Sequence, residues 1–189
     1  MTGRLLITGA VICALGIPLA GQDPPDPFVA APPEPPPTAL EAFSPSDTLI
    51  TMGYTELGSV AAGSAIVRVD VRDLRTPAGD GVRGMTVDVI ESQTRRDRSF
   101  IDVDEVAPLL RGIDAMLDVR SNPTSFDRYE LRYVTRGELW LRTVVTPRGA
   151  IVYAMQAGRT VRAQAQLDVA DLVKLRALFA AAAAKLGTP

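Results

Sequence analysis

The chain has no histidine and a single cysteine, Cys13, in 189 residues. Aromatic residues are sparse, with one Trp, four Tyr and five Phe. Lysine is nearly missing: Lys174 and Lys185 stand against 18 arginines, a bias that reads as genome composition rather than chemistry. Each shortage excludes something. Without His there is no Ser–His triad and no imidazole ligand for zinc or copper. Cys13 lies in an N-terminal apolar run, so the mature chain is expected to hold no Cys nucleophile and no disulfide. A phosphate-binding Gly-rich loop is also missing. Gly79, Gly81 and Gly84 sit in a polar stretch with no Lys and no helix after them.

What is present begins with a leader. Arg4 supplies a charged start, Leu5 to Ala20 is apolar but broken by Gly9, Gly16 and Pro18, and Ala20-Gly21 offers small residues for cleavage. Residues 1–21 therefore read as a signal peptide, too short to span a bilayer comfortably. Cys13 lacks the Leu/small-residue context of a lipoprotein signal. The expected destination is the periplasm or the exterior, with no stable membrane span after cleavage. Residues 22–46 read as a linker. Eight of the fifteen prolines lie between Pro24 and Pro37, a composition that favours extended, solvated chain over a core. A solvated tether fits it better than a ligand for a proline-binding groove. Within it, Ala39 to Phe43 offers one helical turn.

Residues 47–187 are long enough for one α+β domain. Its clearest part is the end. Arg128 to Tyr133 alternates, with Tyr129, Leu131 and Tyr133 on one face. Arg136-Gly137 is a turn, and Glu138 to Val145 resumes the alternation. Pro147-Arg148-Gly149 turns the chain again. Ile151 to Met155 is nearly all apolar and is expected to be buried on both faces. After Ala157-Gly158, Val161 to Leu167 alternates strictly. Asp168 then sits at an N-cap, and Val169, Leu172, Leu175, Phe179, Ala182 and Leu186 recur at helical spacing until Gly187. This is ββββα.

The first half carries the same order less plainly. Leu49–Met52 and Ser59–Ala62 are short strand candidates separated by Gly53 and Gly58. In Ala65 to Arg72, Val67, Val69 and Val71 oppose Arg68, Asp70 and Arg72. Thr76 to Gly84 reads as a loop, Met85 to Ile90 as a strand, Ser92 to Arg98 as a polar loop or hairpin tip, and Ser99 to Val103 as a strand. A helix over about 104–119 carries Val106, Leu109, Leu110, Ile113, Met116 and Leu117. Pro108 within it should delay its start or kink it. Ser121-Asn122-Pro123-Thr124 separates the units. Ile101-Asp102-Val103-Asp104-Glu105-Val106 matches Leu167-Asp168-Val169-Ala170-Asp171-Leu172 at an offset of 168 − 102 = 66 residues. The expectation is two ββββα-type units, about 47–120 and 126–186, with antiparallel sheets each closed by one amphipathic helix.

This tandem order resembles the Whirly and transcriptional-coactivator type of single-strand nucleic-acid-binding fold. The run Ile101 to Leu110, with Tyr129-Glu130-Leu131-Arg132-Tyr133 and Arg136-Gly137, also resembles a group of exported bacterial proteins of unknown function that share the topology. The resemblance implies a fold over roughly residues 50–186 and assigns no residue a role.

Three clusters are candidates for chemistry. Asp102, Asp104 and Glu105 suit a calcium or magnesium ion, or a helix cap, since Asp102 and Glu105 have capping-box spacing. Arg95, Arg96 and Arg98 suit a phosphate or an acidic partner, or a solvated tip beside Glu91 and Asp97. Trp140, Arg132 and Arg142 can share one sheet face as a binding surface that stacks a base or sugar, or the Trp can be covered by the neighbouring helix or packed under Arg stems. No catalytic, cofactor-binding or metal residue is expected. The formal charge is −2, and losing Arg4 gives 19 − 22 = −3. An acidic exported chain argues against nucleic acid despite the resemblance. The best-fitting function is a non-catalytic binding or accessory module of the cell envelope, with a protein or small ligand as partner. A carboxylate-based hydrolase or isomerase, and a single-strand nucleic-acid binder, stand as alternatives.

Overall fold

A computed structural model describes residues 37–43, 45–119, 124–145 and 150–187. The expected leader, most of the linker, the Pro147-Arg148-Gly149 turn and Ser121 to Pro123 lie outside the described residues. The first unit holds β1 (Thr51–Ala62), β2 (Ala65–Arg75), β3 (Gly81–Ile90), β4 (Arg96–Asp102) and α2 (Val103–Leu117), after a short α1 (Ala39–Ala42). The second holds β5 (Tyr129–Val134), β6 (Trp140–Val145), β7 (Ile151–Ala157), β8 (Ala163–Leu167) and α3 (Val169–Leu186). The architecture is α+β: two separate antiparallel four-stranded sheets in sequential order, each followed by a helix.

The alternation read in the sequence sets the layers. Val67, Val69 and Val71 on β2, Met85, Val87 and Val89 on β3, and Ile101 on β4 face inward. They join one core with Leu141, Tyr153, Met155, Ala163, Ala165 and Leu167 of the second sheet and the buried sides of both helices. Among the described residues no helix covers the outer face of the second sheet, and on the first sheet only the short α1 covers one end, over Gly84, so each sheet presents a polar open side.

The two helix entries are equivalent in space as well as in sequence. Asp102 and Asp168 are the N-caps of α2 and α3. At the 66-residue offset, Val106/Leu172, Leu109/Leu175, Ile113/Phe179 and Met116/Ala182 are all buried. Asp168 accepts from the N–H of Asp171 at 2.8 Å, and Gly187 ends α3 in the left-handed region with φ 72°. The other helix starts at Val103, one residue before the expected start, and runs through Pro108.

Several boundaries differ from expectation. The two short strands before Ala65 are one strand, β1, because Gly58 (φ 150°) takes up a register shift against β2 rather than ending the ladder. The expected loop to Gly84 is a turn of residues 76–80, and β3 begins at Gly81. The expected tip at 92–98 is shorter. Arg96 and Arg98 are strand residues paired to Ile90 and Asp88. Ile151 to Met155 is central but fully buried on one face only: Tyr153 and Met155 are enclosed while Val152 and Ala154, on the other face, are half-buried. Its other face belongs to the open side of the sheet. Finally, the end of the stretch read as linker is docked. Leu40 is buried, and Gly84 leaves room for its Cδ2, which lies 3.0 Å from where a Cβ would stand.

The units are tied along β4. Asp97 Oδ2 accepts from the N–H groups of Thr160, Val161 and Arg162 at 3.1, 2.8 and 3.1 Å. Ser99 Oγ accepts from Gly158 N–H at 2.9 Å. Phe100 bridges to Gly137, where a Cβ would lie 1.8 Å from the Phe100 carbonyl oxygen. The free edge of β4 is thus sealed by backbone from the second unit, the usual remedy for an exposed edge.

Candidate functional site

The open face of the second sheet gathers Trp140, Arg132 and Arg142, as the alternation predicted. Trp140 stands opposite Val134 and Gln156, and Arg132 stands directly opposite Arg142 across β5 and β6. Two guanidiniums facing each other repel unless something neutralises them, and Glu130 does so. Its carboxylate accepts from Arg132 Nε and Nη2 at 3.0 and 2.8 Å, and from Arg142 Nε and Nη2 at 3.2 and 2.7 Å. Hydrogen bonding from Arg142 first, joined by Arg132, outweighs the opposing effect of burial and holds Glu130 below the usual carboxylate range. Arg132 is thereby fixed with its guanidinium carbon 5.3 Å from the Trp140 ring centroid, within cation–π range. Trp140 Nε1 donates to Glu138 at 2.8 Å. Arg132, Trp140 and Arg142, with Gln156 and Arg162, line a depression of about 220 Å³.

The open face of the first sheet holds a second constellation that sequence reasoning did not single out. Arg68, Asp88 and Arg98 stand in register on three neighbouring strands. Asp88 is 6 % exposed and accepts from Arg68 Nη2 and Arg98 Nη2, both at 2.8 Å, and from Arg98 Nε. Burial alone would raise its pKa, but the two guanidiniums outweigh it and hold the carboxyl below its ordinary value. Asp70 lies on the same face, 8 % exposed, with Oδ1 enclosed and unpartnered. Its pKa is pushed up, by burial first and then by the charge of Asp88. Arg72 donates to Thr86 Oγ1 at 3.3 Å. A cavity of about 350 Å³ opens here, lined by Arg68, Asp88, Ile90, Arg96, Asp97 and Arg98. The alternation of Ala65 to Arg72 put Arg68, Asp70 and Arg72 on one face. What concealed the rest was reading Arg96 and Arg98 as loop.

The acidic cluster is taken up by structure. Asp102 N–H donates to Glu105 at 3.3 Å, which is one half of a capping box. The Asp102 carboxylate, however, turns to α1 and accepts from Ala39 N–H and Leu40 N–H at 2.8 and 3.0 Å. Arg136 stands where a cation would: it pairs with Asp102 at 3.2 Å, Glu105 at 3.3 Å, and Asp104. Among the described residues no group of three or more His, Cys, Asp or Glu is placed to hold a metal ion. Arg95 is engaged by Glu91 at 2.8 Å, so the basic cluster is split between a tip and a strand. No helix among the described residues is long and apolar enough to cross a membrane. No protein-family model matches the chain, and no curated protein is significantly similar to it.

Proposed function

We propose that this chain is a non-catalytic binding or accessory module of the cell envelope, engaging its partner through the open face of the second sheet. The observation that carries this reading is the Arg132–Trp140 stack with Arg142 beside it, held by Glu130 on a face that no helix among the described residues covers. An aromatic ring under a guanidinium, prepaid in geometry, is a common energetic centre of protein contacts. The leader and the proline-rich tether support an exported location. Crosslinking capture of the tagged full chain from its native envelope tests the reading. A reproducible partner captured by wild type and lost by both Trp140→Ala and Arg142→Ala is expected. Capture that survives both variants, or no partner, overturns it.

The first sheet lends some support to the carboxylate-enzyme reading, because Asp70 and Asp88 have pKa values pushed apart, a pattern that suits an acid and a base. It is supported less well. Asp88 is locked between two guanidiniums, and the cavity is lined by Asp88 without Asp70.

A further inference from the structure

We infer that the open face of the first sheet is a separate binding site for the oxyanion group of a small molecule, a carboxylate or a phosphoryl group, bound by Arg68, Arg96 and Arg98. It is independent of the Trp140 surface, which lies on the other sheet.

Four observations carry it. First, the cavity has the volume of a small-molecule site, about 350 Å³, and three of its six lining residues are arginines. Second, the cations are placed by the strands. Arg68 and Arg98 flank Asp88 in register, and Arg96 follows on β4 at the same face, opposite Ile90. Asp88 cancels enough repulsion for two guanidiniums to share the face, yet uses only part of their donors. A guanidinium has five N–H groups. Arg98 gives Asp88 two nitrogens and Arg68 gives one. Third, Arg68 Nε is enclosed with no partner among the described residues, so they leave that side chain with a donor unsatisfied. Fourth, Arg96 is exposed and forms no ion pair among the described residues.

The other carboxylate of the cavity wall does not compete for these donors. Asp97 accepts from its neighbour Arg98 N–H at 2.9 Å and from the three backbone N–H groups of the 160–162 loop. Its charge is dispersed into the backbone. What remains facing the cavity is Arg96 with the free edges of Arg68 and Arg98. Planar forks of N–H donors match carboxylate and phosphoryl oxygens in pairs, which a point charge such as Lys does not.

Calorimetric titration of the full chain with inorganic phosphate and with succinate, at low salt, tests the site. Binding of either is expected, weakening as NaCl is raised. Phosphate alone would assign a phosphoryl ligand, succinate alone a carboxylate, and both an oxyanion without further distinction. Arg96→Ala, which removes an exposed side chain with no structural partner, should weaken binding about tenfold or more. Arg98→Ala should do the same if it folds. Arg142→Ala on the second sheet should leave the titration unchanged. Binding of neither anion at millimolar concentration, or equal binding by wild type and Arg96→Ala, overturns the proposal. Because the control lies on the Trp140 surface, failure here leaves the partner-capture result untouched, and the converse.

Discussion

Asp70 and Asp88 share one sheet face and answer pH in opposite ways. Asp88 has its folded pKa below the ordinary value, so its contribution to stability is present above that value and is lost as pH falls through the folded pKa. Asp70 has its folded pKa raised, so its ionised form opposes folding, and that penalty appears as pH rises from the ordinary value through the folded one. Urea denaturation of two asparagine variants separates them. Asp88→Asn should lose about 1–2 kcal/mol at pH 7, since it removes a charge-assisted partner from two partly exposed guanidiniums. Its difference from wild type should shrink in acid. Asp70→Asn should be more stable than wild type at pH 7, with the gain gone at a pH below the ordinary carboxylate range. A pH-independent effect of either variant would mean that packing, not charge, sets its role. At this scale the sequence was half legible. Trp140, Arg132 and Arg142 were found because two strands of plain alternation place them. Arg98 was singled out with Arg95 and Arg96, but its place on a strand was missed because a run of charged residues reads as solvated tip, and nothing local reveals that Asp88 waits opposite it.

The two strand–cap–helix junctions are the same element used twice, with different consequences. Asp168 satisfies only its own helix. Asp102 satisfies α1 and Arg136 as well. Asp168→Ala should cost about 1 kcal/mol, the ordinary value of an N-cap. Asp102→Ala should cost more, about 2–3 kcal/mol, because two further N–H groups lose their acceptor. It should also release α1, which hydrogen exchange at Ala39 and Leu40 would report as lost protection. Equal costs would show that the docking of α1 adds nothing. The cap was legible from Asp102, Glu105 and their spacing. The docking of Leu40 was not, because a four-residue helix after a proline-rich stretch has no periodicity to read. Its acceptor lies 62 residues away in the chain.

The molecule has two sheets but one core, since the inner faces of both meet the same two helices. Unfolding should therefore be a single cooperative transition. Trp140 is the only tryptophan, so its fluorescence follows the second sheet while far-ultraviolet dichroism follows the whole. The two should coincide in urea, and two resolved midpoints would mean the units fold separately. A fragment of residues 124–189 should stay unfolded alone, because α3 packs against β1 and β2 of the first unit. By itself the sequence determined two runs of strands each closed by a helix, the buried faces of β2 and of both helices, and the two caps, because alternation, helical spacing and capping are local physics. It also placed the Trp140 surface, which needs only the pleat of neighbouring strands. Tertiary structure alone decided that the sheets remain separate, that Gly137 and Gly158 seal the edge of β4, and that Arg68, Asp88 and Arg98 meet. Those outcomes depend on register and on backbone approaching backbone from distant segments. A side chain's partner across a sheet is set by strand pairing, and no pattern along the chain encodes it.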